Sequence, residues 1–249
     1  MPYGPHTDDD RARMLATIGV ASIDALFEDI PASVRAGGLA LADPEPELAL
    51  TRRLGALASR NRTDLVSFLG AGVYRHHIPA IVDAMLLRGE FHTAYTPYQP
   101  EISQGTLQTI FEYQSMLAEL TGLPVVSASH YDGATATAEA ALMTIRATGR
   151  SRVLVSRAIH RHYRDVTRTY LAAGGHALDE LPTLADGSTD LAALDAALAD
   201  PDRPVAGVMI GQPNAFGILE RVADAARLAH AAGALVVSVV QPVSLAFLA

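Results

Sequence analysis

Cysteine and lysine are both absent from the sequence, and all 19 of its basic residues are arginines. Without cysteine, the chain can form no disulfide, use no thiolate nucleophile and build no zinc–thiolate site. Without lysine, none of its own side chains can bind a carbonyl compound as a Schiff base. The two absences exclude thiol and amine covalent catalysis from these 249 residues.

Positive charge is also scarce. The 27 acidic residues outnumber the 19 basic ones, and the formal charge is -8. Such a chain lacks the basic surface that displaces counterions from a nucleic acid.

The sequence predicts no targeting or membrane segment. Its first ten residues lack the features of a secretory signal, and its longest apolar run, 234–249, is shorter than the ~20 residues of a membrane helix. We therefore expect no nucleic-acid or membrane partner, and a cysteine-free composition is compatible with a cytoplasmic protein.

The apolar pattern predicts an α/β fold for the larger part of the chain. Short apolar runs alternate with helix-like segments, which is typical of a parallel sheet with helices on both faces. The predicted strands are 124–128, 152–156, 176–181, 205–210 and 234–240, and the predicted helices are 133–148, 161–171, 190–199 and 220–232. Ligands of such sheets bind beyond the carboxyl ends of the strands. The candidate segments are therefore 127–135, 157–162, 211–217 and 241–244.

The N-terminal part has a different character. Thr7, the aspartates after it and Gly19 predict a helix over residues 7–18. A second helix is predicted over 45–60, and the Gly- and Pro-rich segment between the two predicts an extended arm. We therefore divide the chain into a helical, Pro-rich N-terminal arm, 1–66, and an α/β domain, 67–249. The first helices of that domain are predicted at 79–89 and 106–120.

The stretch at residues 91–105 is the strongest candidate for a functional site. Its prolines and Gly105 predict a rigid loop rather than the interior of a helix or strand. The candidate site residues in it are Tyr95, Thr96, Tyr98, Gln99, Glu101, Ser103 and Gln104. An ordinary connection between two helices is the alternative, since most loops only connect. The density of phenol, amide and carboxylate groups favours a binding role.

Two other segments each allow two interpretations. The loop at 127–137 could hold an anion on its free N–H groups with the hydroxyls of Ser129 and Thr135, or could simply begin a helix with Asp132 as its N-cap. Gly70 and Gly72 suggest a dinucleotide fingerprint, but the third glycine position is Arg75. Close approach of the backbone to a neighbour or a ligand is the favoured interpretation of those glycines.

The histidines and arginines do not predict a metal site. His76 and His77 would point to different faces of any regular element, and His160 and His162 have no carboxylates at ligand spacing. A satisfied histidine at a helix start or on the surface is the favoured interpretation of the second pair. Four arginines predict one charged helix face that could also receive a carboxylate: Arg157, Arg161, Arg164 and Arg168.

Taken together, these motifs resemble the P-proteins of the glycine cleavage system. The motif YTPYQPEISQG at 95–105 is the most specific one. Further matches are PHT at 5–7, SIDALFEDIP at 22–31, YDGA at 131–134, AEA at 138–140, QPN at 212–214 and FG at 216–217. The resemblance covers the whole chain and is strongest to subunit 1, the alpha subunit, of two-subunit bacterial glycine dehydrogenases (decarboxylating). Since those subunits are longer, the chain is expected to be truncated at its C-terminus.

The resemblance implies a large domain like that of fold-type I pyridoxal-phosphate (PLP) transferases, with a mainly parallel sheet. It also implies an enzyme that decarboxylates glycine and passes the aminomethyl group to lipoylated H-protein. The beta subunit of that family, subunit 2, carries PLP on a lysine. Here Gln241 occupies the position where we align the aspartate that faces the pyridine nitrogen, and a neutral amide cannot stabilise a protonated pyridine as a carboxylate does. We therefore expect no catalytic, cofactor-binding or metal-binding residue in this chain alone.

The expected role of the seven candidate residues is to line or support an active site shared with subunit 2. Two alternatives remain open at this point. The chain could be a non-catalytic scaffold that uses the arm and the central loop only for subunit contacts. It could also belong to a PLP enzyme of another specificity, whose lysine lies beyond residue 249.

Overall fold

The structure is a computed structural model that describes residues 4–70, 72, 74–92 and 95–247. By its internal contacts the chain separates into two units, Met1–Val66 and Ser67–Ala249. Within the described residues, no helix is both long enough and apolar enough to cross a bilayer.

The first unit consists of helices and connecting segments. Helix α1 is Asp8–Ile18 and helix α2 is Glu47–Ala58, and two short 3-10 helices, Asp24–Phe27 and Ala32–Val34, lie between them. The predicted N-cap of α1 is confirmed, because the Thr7 hydroxyl accepts from the N–H of Asp10 while the Asp10 carboxylate accepts from the N–H of Thr7. No residue of the described part of this unit, 4–66, is buried.

The second unit begins with helices and continues as a regular α/β alternation. Its helices are α3 (Ala80–Leu86), α4 (Gly89–His92), α5 (Pro100–Thr121), α6 (Gly133–Thr148), α7 (Arg161–Ala173), α8 (Leu191–Leu198) and α9 (Val222–Ala231). Its strands are β1 (Arg152–Ser156), β2 (Ala177–Leu181), β3 (Val205–Gln212) and β4 (Leu235–Val240). The predicted alternation from residue 133 onward is confirmed, with bounds that differ by about two residues at most.

The four strands form one parallel sheet in the order β2-β1-β3-β4. Side chains that alternate along β1 enter two separate cores, as expected for a strand covered on both faces. Leu154 packs with residues of α8 and α9 such as Leu194 and Ala225, whereas Val153 and Val155 pack with residues of α6 and α7. The predicted placement of helices on both faces is confirmed.

The strand predicted at residues 124–128 is wrong, because this apolar segment forms no strand in the described structure. Pro124 has no N–H to donate to a ladder. The carbonyl of Val126 instead accepts a hydrogen bond of 2.6 Å from the Gln114 side chain of α5. The segment is therefore attached to the preceding helix rather than to the sheet.

Helix α6 lies close against the centre of the sheet because β3 has a glycine at the contact. A Cβ atom at residue 207 would lie 2.6 Å from Oγ1 of Thr144, which is buried on α6 and donates to the carbonyl of Ala141. Only glycine fits this contact without displacing the helix.

Three arginines surround the carboxylate of Glu180, and the two of them on α7, Arg164 and Arg168, attach that helix to β2. Glu180 lies 2.7 Å from Arg164 and 2.5 Å from Arg168, and Arg157 donates to its other oxygen at 3.1 Å. Burial by itself raises the pKa of the Glu180 carboxyl, but the hydrogen bonds from Arg168, Arg157 and Arg164 outweigh it and hold that pKa below its usual range. The prediction of one helix face is wrong for Arg157, which lies between β1 and α7. The carboxylate that these arginines bind belongs to the protein itself, and Arg161 pairs with Asp165 instead.

The first prediction concerns the contact between α6 and β3. Gly207→Ala should lower the free energy of unfolding by about 1–3 kcal/mol, because the added methyl group overpacks a buried contact. Gly105→Ala, on α5 where nothing lies within 4 Å of the added Cβ, is the matched control. Chemical denaturation followed by circular dichroism measures both, and equal stability of the two variants would contradict the prediction.

The second prediction concerns pH. A carboxyl group whose pKa is lowered by folding contributes stability above its unfolded pKa of about 4.3, and that stability is lost as the pH falls through the lower folded pKa. Glu180→Gln should therefore cost about 1–2 kcal/mol at pH 7, as expected for lost hydrogen bonds between charged groups. The difference from the parent chain should shrink below about pH 4.

Thermal unfolding across a pH series measures this difference. The control is Glu139→Gln, which removes a surface ion pair of 3.8 Å with Arg146 and should change stability by less than about 0.5 kcal/mol. A Glu180→Gln deficit that stays constant from pH 7 to pH 3 would exclude the ionic origin.

Candidate functional site

The central loop begins, within the described residues, at Tyr95; Thr93 and Ala94 of the quoted stretch lie outside them. The segment 95–99 has no regular secondary structure, and its chain turns at Pro97, where the N–H of Tyr98 donates to the carbonyl of Thr96 at 2.9 Å. A proline at the centre of such a three-residue turn has the required φ. The turn leaves Tyr95 and Tyr98 87% and 82% exposed.

The prediction that the whole stretch 91–105 is a loop is wrong. Its first two residues belong to α4, and α5 starts at Pro100 and includes Glu101, Ser103 and Gln104. A proline at the first position of a helix is compatible with the helix, because an N–H group at that position would have no intrahelical partner. Proline therefore begins a helix here rather than breaking one. The helix is irregular only at Ser103, with φ -117° and ψ 15°.

The seven candidate residues therefore occupy two kinds of backbone. Four precede the helix: Tyr95, Thr96, Tyr98 and Gln99, of which Gln99 is the N-cap residue. Glu101 and Gln104 line one groove along α5, whereas Ser103 is not among its lining residues and is half-buried. Within the described residues, none of the seven side chains makes a hydrogen bond. The phenol, amide and carboxylate groups are thus available to a molecule outside this chain.

A second candidate site lies between β1 and β3, where the strand order of the sheet reverses. The connection from β1 leads to β2 on one side, and the connection from β3 leads to β4 on the other, so the carboxyl ends of β1 and β3 diverge. This is the position where open parallel sheets bind ligands. A crevice of about 510 Å³ lies there. It is lined by Gly72, Tyr74, Ile159, His160, Tyr163, Gly211, Pro213, Asn214, Ala215, Val239, Val240 and Gln241.

One lip of the crevice is fixed by a buried carboxylate. Glu220 accepts from the N–H of Thr189 at 3.0 Å, from the Thr189 hydroxyl at 2.8 Å and from the amide of Asn214 at 2.8 Å. The Asn214 oxygen in turn accepts from the N–H groups of Phe216 and Ile218. Because these polar groups are buried and paired, the loop after β3 has one defined shape.

The other sequence candidates have structural roles. Asp132 caps α6, and its hydrogen bonds with the backbone and side chain of Thr135 lower the pKa of its carboxyl. The capping interpretation of the loop at 127–137 is therefore confirmed. His160 caps α7 by accepting from the N–H of His162 at 3.3 Å, as expected for a helix-start histidine.

The glycine pair and the histidines outside α7 show no cofactor or metal geometry in the described structure. Gly70 and Gly72 have φ of 63° and 93°, and the next helix starts only at Ala80, so no fingerprint turn leads directly into a helix. Gly72 approaches His160 instead, and a Cβ at residue 72 would lie 3.9 Å from its ring. Among the described residues, no group of three or more metal-ligating side chains is placed to hold an ion.

The residues of the crevice do not fit a lysine-linked PLP. The 249 residues contain no lysine to hold it. Gln241, the first residue after β4, places a neutral amide at the crevice where a carboxylate would be needed against a protonated pyridine. The described lining also contains no arginine that could pair with a phosphate group.

Sequence reasoning identified part of this crevice in advance. The rule on strand ends selected 157–162, 211–217 and 241–244, and these segments contain His160, Asn214 and Gln241 of the lining. Tyr74 and Tyr163 were missed, because nothing in the local sequence shows which loop or helix face closes over a strand end. The segment 127–135, also selected, contributes no lining residue among the described ones.

Comparison with known proteins agrees with this architecture. Residues 1–249 match the family model of the glycine cleavage system P-protein. The chain is 54% identical over 250 residues to a probable glycine dehydrogenase (decarboxylating) subunit 1 of Moorella thermoacetica, which covers 100% of this chain and 55% of that protein. A protein with the same name from Anaeromyxobacter dehalogenans is 52% identical over 239 residues, or 96% of this chain and 53% of that protein.

A solved structure shows the same fold. The crystal structure of glycine decarboxylase (P-protein) of the glycine cleavage system, in inhibitor-bound form, matches 98% of this chain and 54% of its own, with 45% identity and a TM-score of 0.77. The chain thus spans about half the length of the curated relatives it matches. The α/β fold class expected from the motifs is confirmed, and the chain belongs to the glycine cleavage system P-protein family.

Proposed function

We propose that this chain acts as subunit 1 of a glycine dehydrogenase (decarboxylating) and contributes one wall of an active site that it shares with a second subunit. The relatives that match 96–100% of this chain carry the name of subunit 1 of that enzyme. The observation that carries the proposal is the loop at Tyr95 to Gln99 with the first turn of α5. It presents polar side chains that have no hydrogen-bonding partner among the described residues.

The composition of these 249 residues supports a division of chemistry between the subunits. They contain no lysine and cannot hold PLP as a Schiff base, so we assign the cofactor to the second subunit. When bound there, PLP supplies the electron sink for loss of carbon dioxide from glycine. Lipoylated H-protein is the proposed acceptor of the aminomethyl group. We also propose a cytoplasmic location, with which the cysteine-free composition is compatible.

The role proposed for the central loop is positioning rather than covalent catalysis. Phenols such as Tyr95 and Tyr98 and the amides of Gln99 and Gln104 can donate hydrogen bonds to a carboxylate or other acceptor. Glu101 lies in the first turn of α5, where the helix dipole favours its negative charge. It could therefore accept from a substrate ammonium group at that position. Thr96 and Ser103 supply hydroxyls on either side of these groups.

The third prediction tests the phenol of Tyr98. The chain is mixed with its second subunit, and the exchange of glycine carboxyl with bicarbonate is measured. Tyr98→Phe should lower kcat/KM about fivefold to tenfold, because it removes one hydrogen bond of about 1 kcal/mol from the shared site. Tyr170→Phe, which removes a phenol from a half-exposed position on α7, is the matched control and should leave the rate unchanged.

The fourth prediction tests the charge of Glu101. Glu101→Gln keeps the size of the side chain and removes its negative charge, so it should lower kcat/KM by tenfold or more if the carboxylate pairs with a cation. Asp195→Asn, at an exposed position on α8, is the control for a change in net charge. Exchange rates within twofold of the parent for both Tyr98→Phe and Glu101→Gln would refute the proposed role of the loop.

The same variants separate catalysis from scaffolding. If the loop serves only for subunit contacts, the variants should weaken association while the assembled complex keeps its full rate per site. Association is measured by titration of the second subunit, and the rate is measured at saturating subunit concentration. A lower rate in the fully assembled complex supports an active-site role.

A further inference from the structure

Helix α5 is long, apolar and poorly covered by the rest of the described chain. It has 22 residues, all of them described, and none is buried. Phe111 is 66%, Met116 62% and Leu120 63% exposed. Large exposed apolar side chains concentrated on one helix mark candidate interaction sites in folded proteins.

Six polar residues of α5 form one continuous stripe. They recur every three or four residues, the spacing that places side chains on one face of a helix. The stripe consists of Glu101, Gln104, Gln108, Glu112, Ser115 and Glu119. Gln108 donates to Glu112 at 2.8 Å within it. At 3.6 residues per turn, Leu107 and Phe111 lie along one side of the stripe and Met116 and Leu120 along the other.

The stripe is acidic, and no basic residue of α5 balances its negative charge. α5 carries three glutamates and no arginine. A groove of about 810 Å³ runs along this face, and its lining contains Glu101, Glu112, Leu107, Phe111 and Met116. A surface that covers this groove must bring apolar groups to both sides and cations to the middle, because buried carboxylates without partners are costly.

We propose that this face of α5 is the docking surface for the second subunit, which contacts it with an apolar surface that carries arginines or lysines along its centre. The inference rests on the proposed function, since the relatives' name of subunit 1 implies a second subunit. It goes beyond that function by assigning the surface and the chemistry of its partner.

Charge decides between the second subunit and a second copy of this chain. A two-fold symmetric dimer through this face would place the acidic stripe of one copy against the same stripe of the other. Like charges brought together in this way are repulsive by several kcal/mol. The acidic face equally disfavours nucleic acid and anionic lipid. A protein surface with a basic centre remains the complementary partner.

The docking surface is continuous with the candidate site. Glu101 and Gln104 belong to the acidic stripe, and Tyr98 lies two residues before α5 begins. A subunit seated on α5 therefore reaches the exposed polar groups of the central loop. This continuity explains how one chain could present a wall of an active site that lies mainly in another.

The test measures affinity and activity separately. The 249-residue chain and its Glu112→Arg/Glu119→Arg variant are titrated with the purified second subunit by isothermal calorimetry, at low and at high salt. Neither glutamate is among the candidate site residues. The double reversal should raise Kd by tenfold or more and reverse its salt dependence, because attraction across the interface becomes repulsion. Glu112→Gln should give a smaller loss in the same direction.

Asp195→Arg is the control. It also replaces an exposed acidic residue by arginine, but on α8 and away from the proposed surface, so it should change Kd less than twofold. Circular dichroism confirms that each variant is folded. Unchanged affinity of the double variant, in a complex that still exchanges glycine carboxyl with bicarbonate, would overturn the docking surface and leave the proposed function intact. Failure of the parent chain to bind the second subunit would overturn both.

Discussion

The parallel pairing of β1 with β3 is the constraint on which the second unit depends. Both strands are covered on two faces, so their side chains alternate between the core beneath α6 and α7 and the core beneath α8 and α9. Their pairing also makes the chain leave in opposite directions at their carboxyl ends. The crevice at that point is therefore a consequence of strand order rather than of any one residue.

The fold has a crevice where a ligand is expected, yet its described lining suits neither a lysine-linked cofactor nor a phosphate group. The exposed groups suited to chemistry lie elsewhere, on the loop before α5 and on that helix. Buried, paired polar residues such as Glu220 and Asn214 give the loop beside the crevice one shape, whereas the polar side chains of the central loop have no hydrogen-bonding partner among the described residues. The side chains along the α5 face are largely exposed. This contrast is consistent with a domain that supports its own loops well and presents its functional groups to another chain.

Much of the second unit could be predicted from the sequence because its local signals agree with one another. From residue 133 onward, capping residues such as Asp132 and short apolar strands mark each boundary, and burial on both faces reinforces them. The errors arose where one local signal has two structural outcomes. Pro100 was taken to exclude a helix but begins one, and residues 124–128 have the composition of a strand but lie outside the sheet.

The sequence by itself determined the helices and strands of the α/β part, the inability of these 249 residues to form a Schiff base, and the motifs that identify the family. These properties depend on residue type and local spacing, which a linear chain records directly. Only the tertiary structure decided that the arginines of α7 neutralise Glu180, that Glu220 holds the loop after β3, and that the described residues leave an acidic, apolar-flanked face of α5 exposed. Those properties depend on contacts between residues far apart in the chain, and such contacts are set by strand order and helix packing.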